Sequence, residues 1–190
     1  MSSYRDLYKC FENTEPHIRR NDVQDAVADI TGTPKVRPIV ATLDTTICRG
    51  FYLSPKTDHR LTAQFGGHII VLARDLNRCW TRFVLIKELM HLFDGDAEAT
   101  DTGEKFESIL NEINGPGPSG PSDQTNSEFK AFWMALGLLC PAKIHEELTV
   151  ARGQNHISDY AIATRLKIPE VYVPHLFRPA FKRHLSALLE

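Results

Sequence analysis

Three ionisable side chains lie close together in one of the most apolar stretches of the sequence. Lys87, Glu88 and His91 belong to the segment 82–93, in which nearly every other residue is apolar. In a helix, Lys87 and His91 lie one turn apart on the same face, and Glu88 lies on the adjoining surface. Ionisable groups on a buried helix are costly unless they are paired, bound to a metal or used in chemistry. The pattern therefore predicts a site on this helix.

The spacing of these residues is that of the zinc-binding motif His-Glu-x-x-His, with a lysine at its first position. In that motif two histidines one turn apart hold zinc, and the glutamate activates the metal-bound water. Glu88 and His91 match the second and last positions, and Lys87 occupies the position of the first ligand. The alternative for this stretch alone is a buried helix in which Lys87 pairs with Glu88 or Asp94 and His91 is a core histidine.

A third zinc ligand has to come from another helix, and Glu128 is the candidate. It heads a strongly apolar predicted helix, in which Ala131 and Ala135 lie on the side of Glu128. Small residues on that side would let the two helices approach closely. Residues 125–128 also fit a capping box, in which Glu128 serves the N-terminus of its own helix. The sequence leaves both roles for Glu128 open.

The elements around these residues are predicted helices and a few short strands. Helical spacing of apolar residues, together with stop signals, predicts helices at 4–31 with a break near Pro16, 77–93, 104–113, 127–139 and, as two short helices and a last one, 158–189. Apolar and β-branched stretches predict one or two strands within 36–53 and a buried strand at 68–72. The Gly/Pro-rich segment 114–122 is predicted to be a surface loop.

Four segments, in this order along the chain, resemble the ImmA/IrrE family of small bacterial zinc metallopeptidases. They are Gly50–Leu53, the stretch from His68 through the motif Lys87–His91, the Glu128-x-x-Ala131 helix that ends in Leu138-Leu139-Cys140-Pro141, and the helical pair 158–169. The resemblance covers about residues 50–180. It implies an α+β fold, in which a small mixed sheet packs with helices and one helix is a zincin-like active-site helix. This metallopeptidase-type domain is expected over 1–150. A helical C-terminal subdomain over 151–190 is expected to pack on that domain.

The resemblance also implies a role for each residue that matches the family motif. Glu88 matches the general base, and His91 and Glu128 match two zinc ligands. Lys87 departs from the family at the position of the first ligand. A protonated lysine has no lone pair for a metal and carries a charge of the wrong sign. We therefore expect the Lys87 ammonium to lie between Glu88 and Glu128 in place of the metal, so that the cofactor is zinc or none.

Two functions are compatible with this departure from the family. The first is a noncatalytic regulator in bacterial or mobile-element control, which binds a protein partner such as a helix-turn-helix repressor or an antitoxin-type protein. The second is an active zinc endopeptidase that cleaves a helix-turn-helix repressor and completes its site with His59, His68 or Asp94. A third possibility is a globular domain without this ancestry.

Composition and charge narrow the range of partners and compartments. A formal net charge of -2 gives no general electrostatic reason for binding nucleic acid or membranes. The segment 170–175 contains Pro174 and little positive charge, which argues against a DNA-reading helix.

The sequence shows no signal-peptide core and no apolar run of membrane-spanning length. The scattered cysteines predict reduced, mostly buried thiols and a cytoplasmic protein: Cys10, Cys48, Cys79 and Cys140.

Overall fold

In the computed structural model, the chain forms an α+β fold in which helices surround a three-stranded mixed sheet. The structure describes residues 3–95, 98–100, 102, 104, 105, 109, 112 and 120–190. The strands are β1 (Arg37–Ala41), β2 (Gly50–Leu53) and β3 (Ile69–Ala73). Their order in the sheet is β1-β3-β2, with β1 parallel and β2 antiparallel to β3.

The helices account for most of the described residues. The α-helices are α1 (Tyr4–Phe11), α2 (Arg20–Thr31), α3 (Arg60–Phe65), α4 (Arg78–Met90), α5 (Asp123–Leu139), α6 (Ala142–Gly153), α7 (Asp159–Leu166), α8 (Val173–Leu176) and α9 (Pro179–Leu189). Two 3₁₀ turns, His91–Phe93 and Glu170–Tyr172, continue α4 and precede α8. None of the described helices is both long and apolar enough to cross a membrane.

The central strand β3 is buried along its whole length. Ile70 and Leu72 belong to the main core, whereas Ile69 and Val71 belong to a smaller cluster on the other face of the sheet. Because both faces are covered, this strand has a continuous apolar sequence rather than an alternating one. The prediction of a buried strand here is confirmed, with a shift of one residue at each end.

Helix α4 carries the motif residues and packs against α5, β3 and β2. It begins after Asn77, whose side chain accepts a hydrogen bond from the backbone N–H of Trp80 at 3.0 Å. On the facing helix α5, Ala131 and Ala135 are fully buried. Small side chains at these two positions allow α4 and α5 to approach closely, as the sequence predicted.

Arg82 joins α4 to both ends of the chain. Its guanidinium is buried and donates hydrogen bonds to the carbonyl oxygen of Ile18, which precedes α2. It also donates to the carbonyls of Leu166 and Lys167 at the end of α7, at 2.8 and 3.0 Å. A planar group with five donors can satisfy three carbonyls at once, so the end of α7 is fixed to the motif helix by hydrogen bonds.

Several sequence predictions need correction. Helix α5 begins at Asp123 rather than 127, because Ser122 caps it by accepting a hydrogen bond from the N–H of Thr125. Glu128 therefore lies inside the helix, and the predicted capping box at 125–128 is wrong. The short helix α3 and the whole of α6 were not predicted. The thiols are not mostly buried, since only Cys140 is. The predicted helix 104–113 and loop 114–122 lie largely outside the described residues.

Candidate functional site

The ammonium of Lys87 lies between two carboxylates. Its Nζ is 2.8 Å from Glu88 Oε1 and 2.5 Å from Glu128 Oε2. The side chains of Lys87 and Glu128 are 18% and 27% exposed, and that of Glu88 is 2% exposed. The bridging position expected for Lys87 is therefore observed, and Glu128 points across to α4 rather than to its own helix terminus.

His91 is held in place from both sides. Its Nδ1 lies 2.7 Å from Asp94 Oδ2, and its ring stacks on that of Tyr52 at 6.3 Å between centroids. Its Nε2 lies 3.4 Å from Glu128 Oε1 and 3.6 Å from Glu88 Oε2. Among the described residues, this buried Nε2 forms no hydrogen bond of good geometry. A carboxylate on one ring nitrogen and an open second nitrogen is also the arrangement of histidines that bind metals.

Asp94 extends the site toward the first turns of α5. Its carboxylate accepts a hydrogen bond from Ser127 Oγ at 2.5 Å and lies 2.9 Å from Lys130 Nζ. Lys130 also contacts Glu98 Oε1 at 2.6 Å. We refer to the seven charged side chains of this site as the ionic cluster: Lys87, Glu88, His91, Asp94, Glu98, Glu128 and Lys130.

The pKa values in the ionic cluster depend on this mutual pairing. Burial alone would lower the pKa of Lys87, but the carboxylates of Glu128 and Glu88 hold it well above its ordinary value. Burial alone would raise the pKa of Glu128, but Lys87 and His91 hold it well below its usual range. The pKa of Glu88 is raised, mainly by burial, although Lys87 opposes the shift. Lys87 is therefore a cation and Glu128 an anion at neutral pH.

His91 is a cation at neutral pH as well. Burial alone would lower its pKa, but attraction to Glu128 and the hydrogen bond to Asp94 raise it to about 10. An imidazolium is protonated on both nitrogens and has no lone pair for a metal. The ionic cluster then carries cations at Lys87, His91 and Lys130 against its carboxylates, so its charges are largely compensated from within.

The protonation of His91 can be measured directly. We expect its ring nitrogens to titrate with a midpoint near 10 in two-dimensional ¹H–¹⁵N NMR spectra. Asp94→Asn should lower that midpoint, because it replaces the charged acceptor of the imidazolium's hydrogen bond by a neutral one. The stabilisation from protonated His91 is fully present below the unfolded-state pKa of about 6.5. It is lost as the pH rises through about 10. A midpoint near 6.5 would contradict the described charge state.

The contacts among Ser127, His91 and Asp94 do not form a nucleophilic triad. A triad places the nucleophile at one imidazole nitrogen and the carboxylate at the other. Here Ser127 Oγ and Asp94 Oδ2 both lie at Nδ1 of His91, at 3.2 and 2.7 Å, and the serine donates to the aspartate. Ser127 therefore helps to hold Asp94 and is not activated by His91.

The other histidines considered as replacement ligands are engaged elsewhere. His68 Nδ1 lies 2.5 Å from the hydroxyl of Tyr52. His59 caps α3 by accepting a hydrogen bond from the N–H of Leu61 at 3.1 Å. Within the described part of the chain, no group of three or more His, Cys, Asp or Glu side chains is arranged to hold a metal ion.

Zinc fits the residues of this site only in part. His91 Nε2 and Glu128 face one another across a short gap, and Glu88 adjoins them. The ammonium of Lys87, however, lies at hydrogen-bonding distance from both glutamates, where its positive charge would repel a metal ion. With the side chains in these positions, the site does not form a three-ligand zinc centre.

Sequence reasoning found the central part of the ionic cluster and missed its periphery. Lys87, Glu88, His91 and Glu128 meet as expected, whereas Lys130, Glu98 and the neighbouring Ser127 were not identified. Lys130 and Ser127 are three residues apart in the same apolar helix, and that spacing of polar residues is the signal that was available.

In comparisons with known proteins, no protein-family model matches the chain and no curated protein matches it significantly.

Proposed function

We propose that this chain is an ImmA/IrrE-like protein with an impaired zinc site, which acts as a noncatalytic regulator or partner-binding protein in bacterial or mobile-element regulation. The observation that carries the proposal is the Lys87 ammonium, which lies 2.8 Å from Glu88 and 2.5 Å from Glu128. In this proposal α4 is a zincin-like helix, and residues 151–190 are a helical subdomain appended to the metallopeptidase-type domain 1–150.

The chemistry of the ionic cluster supports loss of catalysis rather than a changed mechanism. A zinc peptidase needs a metal to lower the pKa of a water molecule and a carboxylate free to take its proton. Glu88 instead binds Lys87, and Glu128 is shared between Lys87 and His91. The same contacts fix the packing of α4 against α5, so the residues of a former catalytic site would serve to stabilise the fold.

A protein partner fits the proposal better than a nucleic acid. The formal net charge is -2, and no electrostatic attraction to phosphates follows from it. The segment 170–175 forms a 3₁₀ turn and the short helix α8, with Pro174 near its start. We propose that the partner is a helix-turn-helix repressor or an antitoxin-type protein, bound in the cytoplasm without being cut.

One observation favours the alternative of an active zinc endopeptidase that cleaves a helix-turn-helix repressor. His91 keeps the orientation of a metal ligand, with Nδ1 on Asp94 and Nε2 directed toward Glu128 and Glu88. Activity would require Lys87 to leave its two carboxylates and another residue to take the first-ligand position. The described contacts of His59, His68 and Asp94 supply no such residue.

The two functions differ in their response to zinc and to loss of Glu88. We expect the unmodified chain to show no hydrolysis of a fluorescence-quenched peptide library or of helix-turn-helix repressors, with or without added zinc. The reason is that Glu88 has no metal-bound water to activate. Glu88→Gln, which keeps the shape of the side chain, should then also show no hydrolysis. Zinc-dependent cleavage that disappears in Glu88→Gln would establish the endopeptidase instead.

A further inference from the structure

A groove between α1, α6 and α9 contains polar groups that the ionic cluster does not use. It has a volume of about 520 Å³, which falls within the range of small-molecule sites, about 300–1,000 Å³. Its apolar surface comes from Phe181, Leu185 and Leu189 of α9. None of the residues of the ionic cluster lines this groove, so an inference about it is independent of the proposed function.

His145 provides the groove with a hydrogen-bond acceptor. His145 is 5% exposed. Its ring stacks on those of Phe181 and Phe177, at 4.9 and 5.8 Å between ring centroids. Its Nε2 donates a hydrogen bond to the carbonyl of Leu176 at 2.8 Å. Burial lowers its pKa, so the ring is neutral and Nδ1 keeps its lone pair. No hydrogen bond to Nδ1 forms within the described part of the chain.

Tyr8 provides the same groove with a hydrogen-bond donor. Its hydroxyl oxygen accepts a hydrogen bond from the backbone N–H of Ala142 at 2.9 Å. The hydroxyl proton has no acceptor among the residues that the structure describes. Tyr8 and His145 both line the groove, so the groove presents one free donor and one free acceptor beside an apolar surface.

We propose that this groove binds a small neutral molecule that has an apolar body and an amide group. The carbonyl oxygen of the amide accepts from the hydroxyl of Tyr8, its N–H donates to Nδ1 of His145, and its body packs on Phe181. An amide carries an acceptor and a donor in one planar group, so it can pair with both side chains at once. Charges of both signs line the groove, at Glu12, Glu146, Lys143 and Lys182, so they give no preference for a strongly charged ligand.

Benzamide is the probe that tests this proposal on the full chain. We expect it to cause saturable shifts of the methyl NMR signals of Leu185 and Leu189. Acetophenone, which keeps the ring and the carbonyl but has no N–H, should bind about fivefold more weakly, the effect of one neutral hydrogen bond. Tyr8→Phe should weaken benzamide by a similar factor. Equal binding of the two probes, or no saturable shift with benzamide, would overturn the proposal.

Two exposed positions on α9 separate ligand binding from any effect on folding. Ser186 lines the groove, and Ser186→Trp should block benzamide without disturbing buried residues. Ala187 is also exposed but lines a different depression, so Ala187→Trp should leave the affinity unchanged. Benzamide binding that persists in Ser186→Trp would place the probe elsewhere and would refute the assignment of this groove.

Discussion

Replacing Lys87 by histidine is expected to raise the affinity of the chain for zinc by on the order of a thousandfold. The substitution removes a cation that repels the metal and supplies a neutral nitrogen one turn from His91. With Glu128 already directed toward His91, at 3.4 Å, the site would then offer three protein ligands and Glu88 beside them. Competition with a fluorescent zinc chelator measures the change.

Two further variants show whether the gain in affinity comes from ligation. Lys87→Gln removes the same positive charge without providing an imidazole, and it should gain little affinity. Lys87→His combined with His91→Gln should lose most of the gain, because only one histidine remains on α4. If Lys87→His bound zinc no better than Lys87→Gln, α4 would not have the geometry of a zinc-binding helix.

Replacing Lys87 by methionine is expected to lower the free energy of unfolding at neutral pH by about 3 kcal/mol. Methionine keeps the length and the apolar surface of the lysine stem, but it removes the ammonium between the carboxylates of Glu88 and Glu128. Only the more distant imidazolium of His91 then remains beside them. Removing one partner of a buried ion pair is costly because the remaining charge is desolvated and unpaired. The partial exposure of Lys87 and Glu128, 18% and 27%, places the expected loss at the lower end of the range for such pairs. Urea denaturation at pH 7 measures it.

The chain offers a matched control for this loss of stability. Lys35 pairs with Asp25 at 2.6 Å, but the two side chains are 58% and 59% exposed. Lys35→Met should therefore cost less than about 1 kcal/mol, since surface pairs contribute little. Adding Glu128→Gln to Lys87→Met should recover part of the lost stability. If Lys87→Met and Lys35→Met cost the same, the ionic cluster would not stabilise the packing of α4 and α5.

The central part of the site could be predicted because it depends mainly on one helix and on one close helix contact. The spacing of Lys87, Glu88 and His91 fixes their relative positions once the segment is helical. Ala131 and Ala135 then indicate the face on which α5 approaches. The resulting meeting of Lys87 with Glu128 followed from local sequence and from the sign of their charges.

The periphery of the site depends on features that local patterns do not specify. Asp94 follows the 3₁₀ turn at the end of α4, and it contacts Ser127 and Lys130 of the neighbouring helix α5, which begins at Asp123. The sequence predicted a later start for α5, since residues 125–128 fit the pattern of a capping box. In the structure Ser122 is the N-cap, because it accepts the hydrogen bond from the N–H of Thr125. Helix α3 has only six residues, too few to show helical periodicity. Helix α6 follows directly on Pro141, a residue that had indicated only the end of α5.

The most direct test of the account is the metal content of the unmodified chain. Tag-free protein, purified without chelator and then dialysed, is analysed for zinc by elemental analysis against a measured protein concentration. The account predicts far less than one zinc per chain, because the Lys87 ammonium holds Glu88 and Glu128 where a metal would otherwise bind them. Close to one zinc per chain, lost on His91→Gln, would show that the site is a working metal centre and would contradict the proposal.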